Sequence, residues 1–183
     1  MSNTNTSTNT NTNTIERFTG EGDLQRKLFA LAVDVSGAST NSVAPKYVVA
    51  GYKIEKSSME INPGIETMTD ILGNTYTTLN KFEPSQTFEP HRLYTGNELG
   101  EMLLQFFRDR NLEKFTSFRC VYIYGFLGGP GAYSADYYSQ CSIIPKSIGG
   151  SSYVEMPFTV NFGGEIKKGT ASGLRGEIVF TEI

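Results

Sequence analysis

The chain has 183 residues, 38% of them hydrophobic, with a net charge of −3, a single His, two Cys and no Trp. That is enough apolar material for a real core. The acidic balance argues against gripping nucleic-acid phosphates over a broad basic face, though not against a channel through which nucleic acid slides. No apolar run approaches the roughly 20 residues a bilayer span needs, and the polar N-terminus has no apolar signal-peptide core. The expectation is a protein made and folded in cytosol.

Residues 1–14 are almost wholly Asn, Thr and Ser. With nothing to bury they cannot offset their ordering entropy, so residues 1–16 are expected to form a disordered arm, followed by one domain over 17–183. The segment 24–35 fits both a helix stripe (Leu24, Leu28, Leu31, Val35) and a strand face (Phe29, Leu31, Val33, Val35). Its Val content and the Ser36-Gly37 ending favour a strand over 28–35. A polar loop follows over 37–45, long enough to reach a neighbouring molecule.

Residues 51–93 form a run of short alternating segments cut by turn residues. Tyr52 to Ile54 are strand formers, and Asn62-Pro63-Gly64 is turn chemistry. Gly73-Asn74 gives a two-residue hairpin turn between Ile71-Leu72 and the Thr-rich segment 75–78. Glu83-Pro84 and Glu89-Pro90 bracket a strand over 85–88. The segment reads as a β-meander with rows of polar and acidic side chains, a surface for pairing.

One helix is expected over about 95–112. Thr95 and Glu98 make a capping box, and Leu99, Met102, Leu103, Phe106 and Phe107 share one face. Acids at its start and Arg108 and Arg110 near its end suit the macrodipole. Strands return over 116–125, with Phe118, Cys120, Tyr122 and Tyr124 on one face and Arg119, Val121 and Ile123 on the other. Further strands are expected over 137–145, 153–162 and 173–182, with a basic turn at Lys167-Lys168-Gly169. In 153–162, Val154, Met156, Phe158, Val160 and Phe162 point inward, and Glu155, Thr159 and Asn161 outward. The fold class is α+β, mainly antiparallel β, a sandwich or barrel with one flanking amphipathic helix.

No catalytic set emerges, and the reading is of a non-enzyme without cofactor or metal. The sole histidine, His91, sits beside a turn with no nucleophile in reach by sequence, and two cysteines with one histidine do not make a zinc site. The glycine-rich stretch 127–131 lacks the features of a phosphate cradle. The acids Glu60, Glu66, Asp70, Glu83 and Glu89 sit at strand alternation or turns, where a solvated face explains them. For Cys120 and Cys141 a cross-strand disulfide stays open, but a cytosolic setting favours free buried thiols.

A resemblance runs through 47–170. The words Gly51-x-x-Ile54-Glu55, Ser58-x-Glu60-x-Asn62-Pro63, Glu66-Thr67-x-Thr69-Asp70-Ile71-x-Gly73, Thr75-x-Thr77 and Glu83-Pro84-Ser85-Gln86 resemble those of the major tail proteins, or tail-tube proteins, of long-tailed bacteriophages. The block from Met156-Pro157-Phe158 to Lys168-Gly169-Thr170 is similar to a second block of that family. The resemblance implies a virion protein whose hexameric rings stack into a hollow tail tube, assembled in the host bacterial cytoplasm. Neighbouring sheets would merge into one inner barrel with the helix outside. The implied partners are other copies of the chain, a tape-measure protein in the lumen, tail terminator and baseplate or tail-tip proteins, and DNA in transit; no membrane insertion is implied. A non-contractile tail is preferred on the resemblance alone; a contractile tail or a tailocin-like particle stays open. The Asn/Thr arm departs from the family pattern.

The residues themselves suggest Gly37, Asn41, Pro45, Asn62, Asp70 and Asn74 as assembly contacts, and Glu155 and Asn161 as lumen-facing. The alternative is a monomeric β-barrel module with an apolar ligand beneath the helix.

Overall fold

The computed structural model describes residues 18, 22–37, 43–54 and 56–183. The expected N-terminal arm, Asn41 and most of the 37–45 loop lie outside these.

A 3-10 turn, Arg26–Leu28, leads into β1 (Phe29–Asp34), which pairs antiparallel with β2 (Tyr47–Val49). Tyr52 to Ile54 is not strand as expected. Tyr52 and Lys53 lie in a turn, with Lys53 at φ 58°, and the Ile54 amide donates to the Gly51 carbonyl. The short β3 (Met59–Glu60) precedes a hairpin of β4 (Pro63–Thr69) and β5 (Thr75–Phe82). Asn62-Pro63-Gly64 is therefore a strand entry rather than a turn: proline is tolerated where a strand starts at an edge. Then come β6 (Ser85–Phe88), the helix α1 (Glu98–Arg108), a second 3-10 turn (Glu113–Thr116), and the long pair β7 (Phe118–Gly129) and β8 (Ala132–Pro145). The chain closes with β9 (Phe158–Asn161), β10 (Ile166–Ala171) and β11 (Phe180–Glu182).

Nine strands form one sheet in the order β2-β1-β7-β8-β9-β6-β3, curled into a half-barrel. Strand β8 forks: residues 133–138 pair with β10, which carries β11, while residues 142–145 pair with β9. The fold is α+β, mostly antiparallel β with a single α-helix among the described residues.

Alternation along β7 feeds two cores, one on each face of the sheet. Phe118, Cys120 and Tyr122 enter one core with Leu103, Phe158 and Val160; Val121 and Ile123 enter a second with Ala171 and Ile178 on the opposite face. Both faces of this strand are covered, so burial removes apolar area on each side. Cys120 and Cys141 are buried free thiols in the first core. In the glycine stretch 127–131, residues 127–129 end β7 and Pro130-Gly131 makes the turn into β8. Gly128 sits at φ 79°, where a Cβ would lie 2.4 Å from the Ala132 carbonyl oxygen.

Helix α1 drives Leu99 and Leu103 into the first core, with Met102 and Phe106 packed against it. Phe107, expected on the same face, is exposed and lies under the Arg110 guanidinium. The N-cap is Asn97, not Thr95: its side chain accepts from the Gly100 amide at 3.1 Å. Glu98 is then the first helical residue, and it is Glu101 that reaches back to the Gly96 amide at 3.2 Å. The helix also ends earlier than expected, with Arg110 at φ 54°.

Three other expectations change. Lys167, Lys168 and Gly169 lie inside β10, not in a turn. In 153–162 only Phe158–Asn161 is strand, and Val154 is exposed. The final strand is three residues; the segment before it folds back through the Ser172 amide donating to the Val179 carbonyl and caps the second core with Ile178.

Candidate assembly surface

Among the described residues the hairpin β4–β5 pairs with no other strand and stands apart from the nine-stranded sheet. All of β5 and all of β4 except Gly64 are exposed. It carries Ile65, Met68, Ile71, Leu72, Leu79 and Phe82 into solvent. An isolated two-stranded ribbon is marginal in water. By register Ile65 and Leu79 share one of its faces, and Met68 and Tyr76 the other. Both outer edges also present unpaired backbone groups.

The tip is organised by one side chain. The expected two-residue turn at Gly73-Asn74 is instead a five-residue connection, because Thr69 pairs with Thr75. Asp70 Oδ1 accepts from the amides of Leu72 (2.9 Å) and Asn74 (2.8 Å). Asp70 Oδ2 accepts from Asn74 Nδ2 (3.0 Å) and the Tyr76 hydroxyl (3.2 Å). These bonds, chiefly that from the Asn74 side chain, hold the Asp70 carboxyl below the usual carboxylate range. Fixed in this way, the loop presents Ile71 and Leu72 outward, Leu72 at 81% exposure. At the base, Asn62 adopts φ 45° and donates from Nδ2 to the Glu83 carbonyl (3.1 Å) and Ser85 Oγ (3.0 Å). The amide of Glu83 donates back to the Asn62 carbonyl at 3.2 Å. Asn62 thus joins the ribbon to the body. From residue 59 to 83 the chain carries four carboxylates (Glu60, Glu66, Asp70, Glu83) and one lysine, Lys81, paired with Glu83.

The structure therefore brings Asn62, Asp70 and Asn74 onto one element. Gly37 and Pro45 lie elsewhere, flanking the β1–β2 connection: the Gly37 carbonyl accepts from Lys114 Nζ at 3.0 Å, and Pro45 is exposed. Glu155 and Asn161 do not share a strand. Glu155 precedes β9, half-buried, bridged to Gly149 and ion-paired with Arg92 at 3.5 Å. Asn161 is exposed on β9 and donates to Ser142 Oγ at 3.1 Å, with Ser85 its register partner on β6. Beside it Thr87 and Thr159 bond at 3.0 Å, so this face of β6 and β9 is polar, and Glu60 of β3 continues the rung beyond Ser85.

His91 is structural in its contacts. It is buried against Phe158, and its Nε2 lies 3.2 Å from Asn97 Nδ2. Burial lowers its pKa. Among the described residues no group of three His, Cys, Asp or Glu could hold a metal, and no helix is long and apolar enough to cross a membrane. Two crevices that border α1 have volumes of about 10 and 30 Å³. Each has room for about one water and none for an apolar ligand.

No family model and no curated protein matches the chain. Solved structures similar to it come from extracellular contractile injection systems. A PVC sheath/tube terminator in the extended state aligns with a TM-score of 0.48 at 10% identity, over 81% of this chain and 97% of that one. A chain of the PVC sheath-tube complex in the extended state aligns with a TM-score of 0.45 at 10% identity, over 89% and 94%. The tube-terminating cap of the anti-feeding prophage aligns with a TM-score of 0.47 at 11% identity, over 85% and 97%.

Proposed function

We propose that this protein is a structural subunit of a phage-tail-like tube. Copies would join into hexameric rings, and rings would stack into a hollow conduit. The observation that carries this reading is the β4–β5 hairpin: a double-edged ribbon with exposed apolar side chains that nothing among the described residues covers. Such a surface costs free energy in a monomer and is offset when another copy covers it. Most of the sequence words that resemble tail-tube proteins fall on this ribbon and its flanks, and the second block falls on β9 and β10.

In the assembled state the curled sheets of neighbouring copies would continue one another, leaving a lumen. A tape-measure protein would fill that lumen before DNA passes, and terminator and tail-tip proteins would close the tube's ends. The polar face around Asn161, with Glu60 at its edge and no cation on β3, β6 or β9, suits passage without retention if it lines the channel. The particle would form in the host cytoplasm and act as part of a virion.

Negative-stain electron microscopy of the purified full chain, across concentration and time, tests the reading. Rings or hollow tubes of uniform width are the expected result. Single copies at every concentration would overturn it.

A further inference from the structure

A cleft of about 480 Å³ opens between the start of β1, the turn after β2, and residues 174–175. Its floor is Gln86 and Phe88, 1% and 2% exposed. Gln86 is fully occupied there: its Nε2 donates to Ser57 Oγ at 2.9 Å, and its Oε1 accepts from the Tyr122 hydroxyl at 2.8 Å. With no orphaned polar atom offered from Gln86, the floor acts as an apolar seat, walled by Phe29 and Leu174. The rim is cationic. Arg26, Lys27, Lys53 and Arg175 line the cleft, and no carboxylate does so among the described residues. Arg26 is committed to the Ser57 carbonyl at 2.9 and 3.1 Å. Lys27, Lys53 and Arg175 have no ion-pair partner among the described residues.

The hairpin is the complement of this cleft. Its tip offers two adjacent apolar side chains, Ile71 and Leu72, beside the fixed Asp70 carboxylate, on a ribbon that also carries Glu66. We propose that the cleft is the receptor for the hairpin tip of a second copy, with Ile71 and Leu72 on the apolar floor and the acids facing Lys27, Lys53 and Arg175. This rests on the tube-forming reading and names the two surfaces of one of its junctions. Protrusion and cleft are different patches, so the contact is heterologous: each copy gives one and receives one, and growth continues copy by copy. The opposite charges favour correct encounter and reject the tip–tip alternative, where acids would meet acids.

Two experiments test the pairing. Lys53→Glu/Arg175→Glu in the cleft and Ile71→Asp/Leu72→Asp at the tip are exposed substitutions, with circular dichroism confirming the fold. Each is expected to weaken association by about tenfold or more in sedimentation velocity and to abolish tubes. Wild-type tubes with an unimpaired cleft variant would overturn the pairing and leave the tube reading standing. Wild-type protein that never associates would overturn both. In the second experiment, Leu72→Cys and Lys53→Cys copies are mixed under a mild oxidant. A disulfide-linked heterodimer is expected, since Cys120 and Cys141 are buried and do not compete. Absence of a cross-link above that of either copy alone would overturn the pairing.

Discussion

Arg119 Nε donates to Asp34 Oδ2 at 2.7 Å, and both residues are about 95% removed from solvent. The carboxylate is also fixed by the backbone: Asp34 Oδ1 accepts from the amides of Ser36 and Lys46, both at 2.9 Å. The pair links β7 to both ends of the β1–β2 connection. Arg119→Ala leaves Asp34 charged, buried and short of its strongest partner. That loss is expected to destabilise the fold by about 3–5 kcal/mol, read as a lower urea midpoint with an unchanged slope. A value near zero would mean water replaces the guanidinium.

Asp70 organises the hairpin tip without being buried. Asp70→Ala should free the loop, so that the Leu72 and Asn74 amides exchange about tenfold faster while β7 and β8 amides are unaffected. Because the folded carboxyl titrates below its ordinary 3.8, the ordering is complete above that pH and is lost as pH falls through the folded value. Amide chemical shifts of Leu72 and Asn74 would follow this titration.

The sole histidine gives a cleaner pH signal. Asn97 Oδ1 accepts from the Gly100 amide, so Asn97 Nδ2 is the donor and His91 Nε2 the acceptor. A second proton on the ring would set N–H against N–H beneath the helix cap. The unfolded ring gains a proton below about 6.5, and the folded ring resists it. His91 therefore contributes fully above pH 6.5 and progressively less as pH falls toward its lower folded value. His91→Gln keeps an acceptor but does not titrate. It should flatten the stability slope between pH 7 and 5, measured by chemical unfolding at each pH.

Gly169 lies where β10 meets β11. A Cβ there would come within 2.2 Å of the Thr181 carbonyl oxygen and 2.6 Å of the Phe180 ring. Gly169→Ala is expected to displace β11 and cost about 1–3 kcal/mol. Early exchange of the Thr181 amide, before the rest of the sheet, would confirm the displacement.

Much of this fold was legible in the sequence where one local rule acted alone. The two faces of β7 follow from alternation, and α1 follows from a stripe of Leu, Met and Phe. Where two local options competed, tertiary contacts chose. Asn97 displaced Thr95 as cap because His91 and the Arg92 carbonyl hold its amide. The tip opened to five residues because the Asp70 carboxylate satisfies two backbone amides that a tighter turn would have paired otherwise. Turn chemistry places Asn62, Asp70 and Asn74 around one hairpin, but its detachment from the main sheet does not follow from alternation. The cleft was invisible in the sequence: its walls come from four separated stretches that only the completed sheet brings together.

Strand β8 runs unbroken for 14 residues, roughly 46 Å at extended rise, and holds β7 along one side and β9 and β10 along the other. Tension applied along its length would load many hydrogen-bonded rungs together in shear, rather than peeling them one by one. The molecule is thus stiffest along β8 and most readily peeled at its short edge strands, the two-residue β3 and the three-residue β11. A subunit with that grain would carry axial strain through its centre and yield first at its margin.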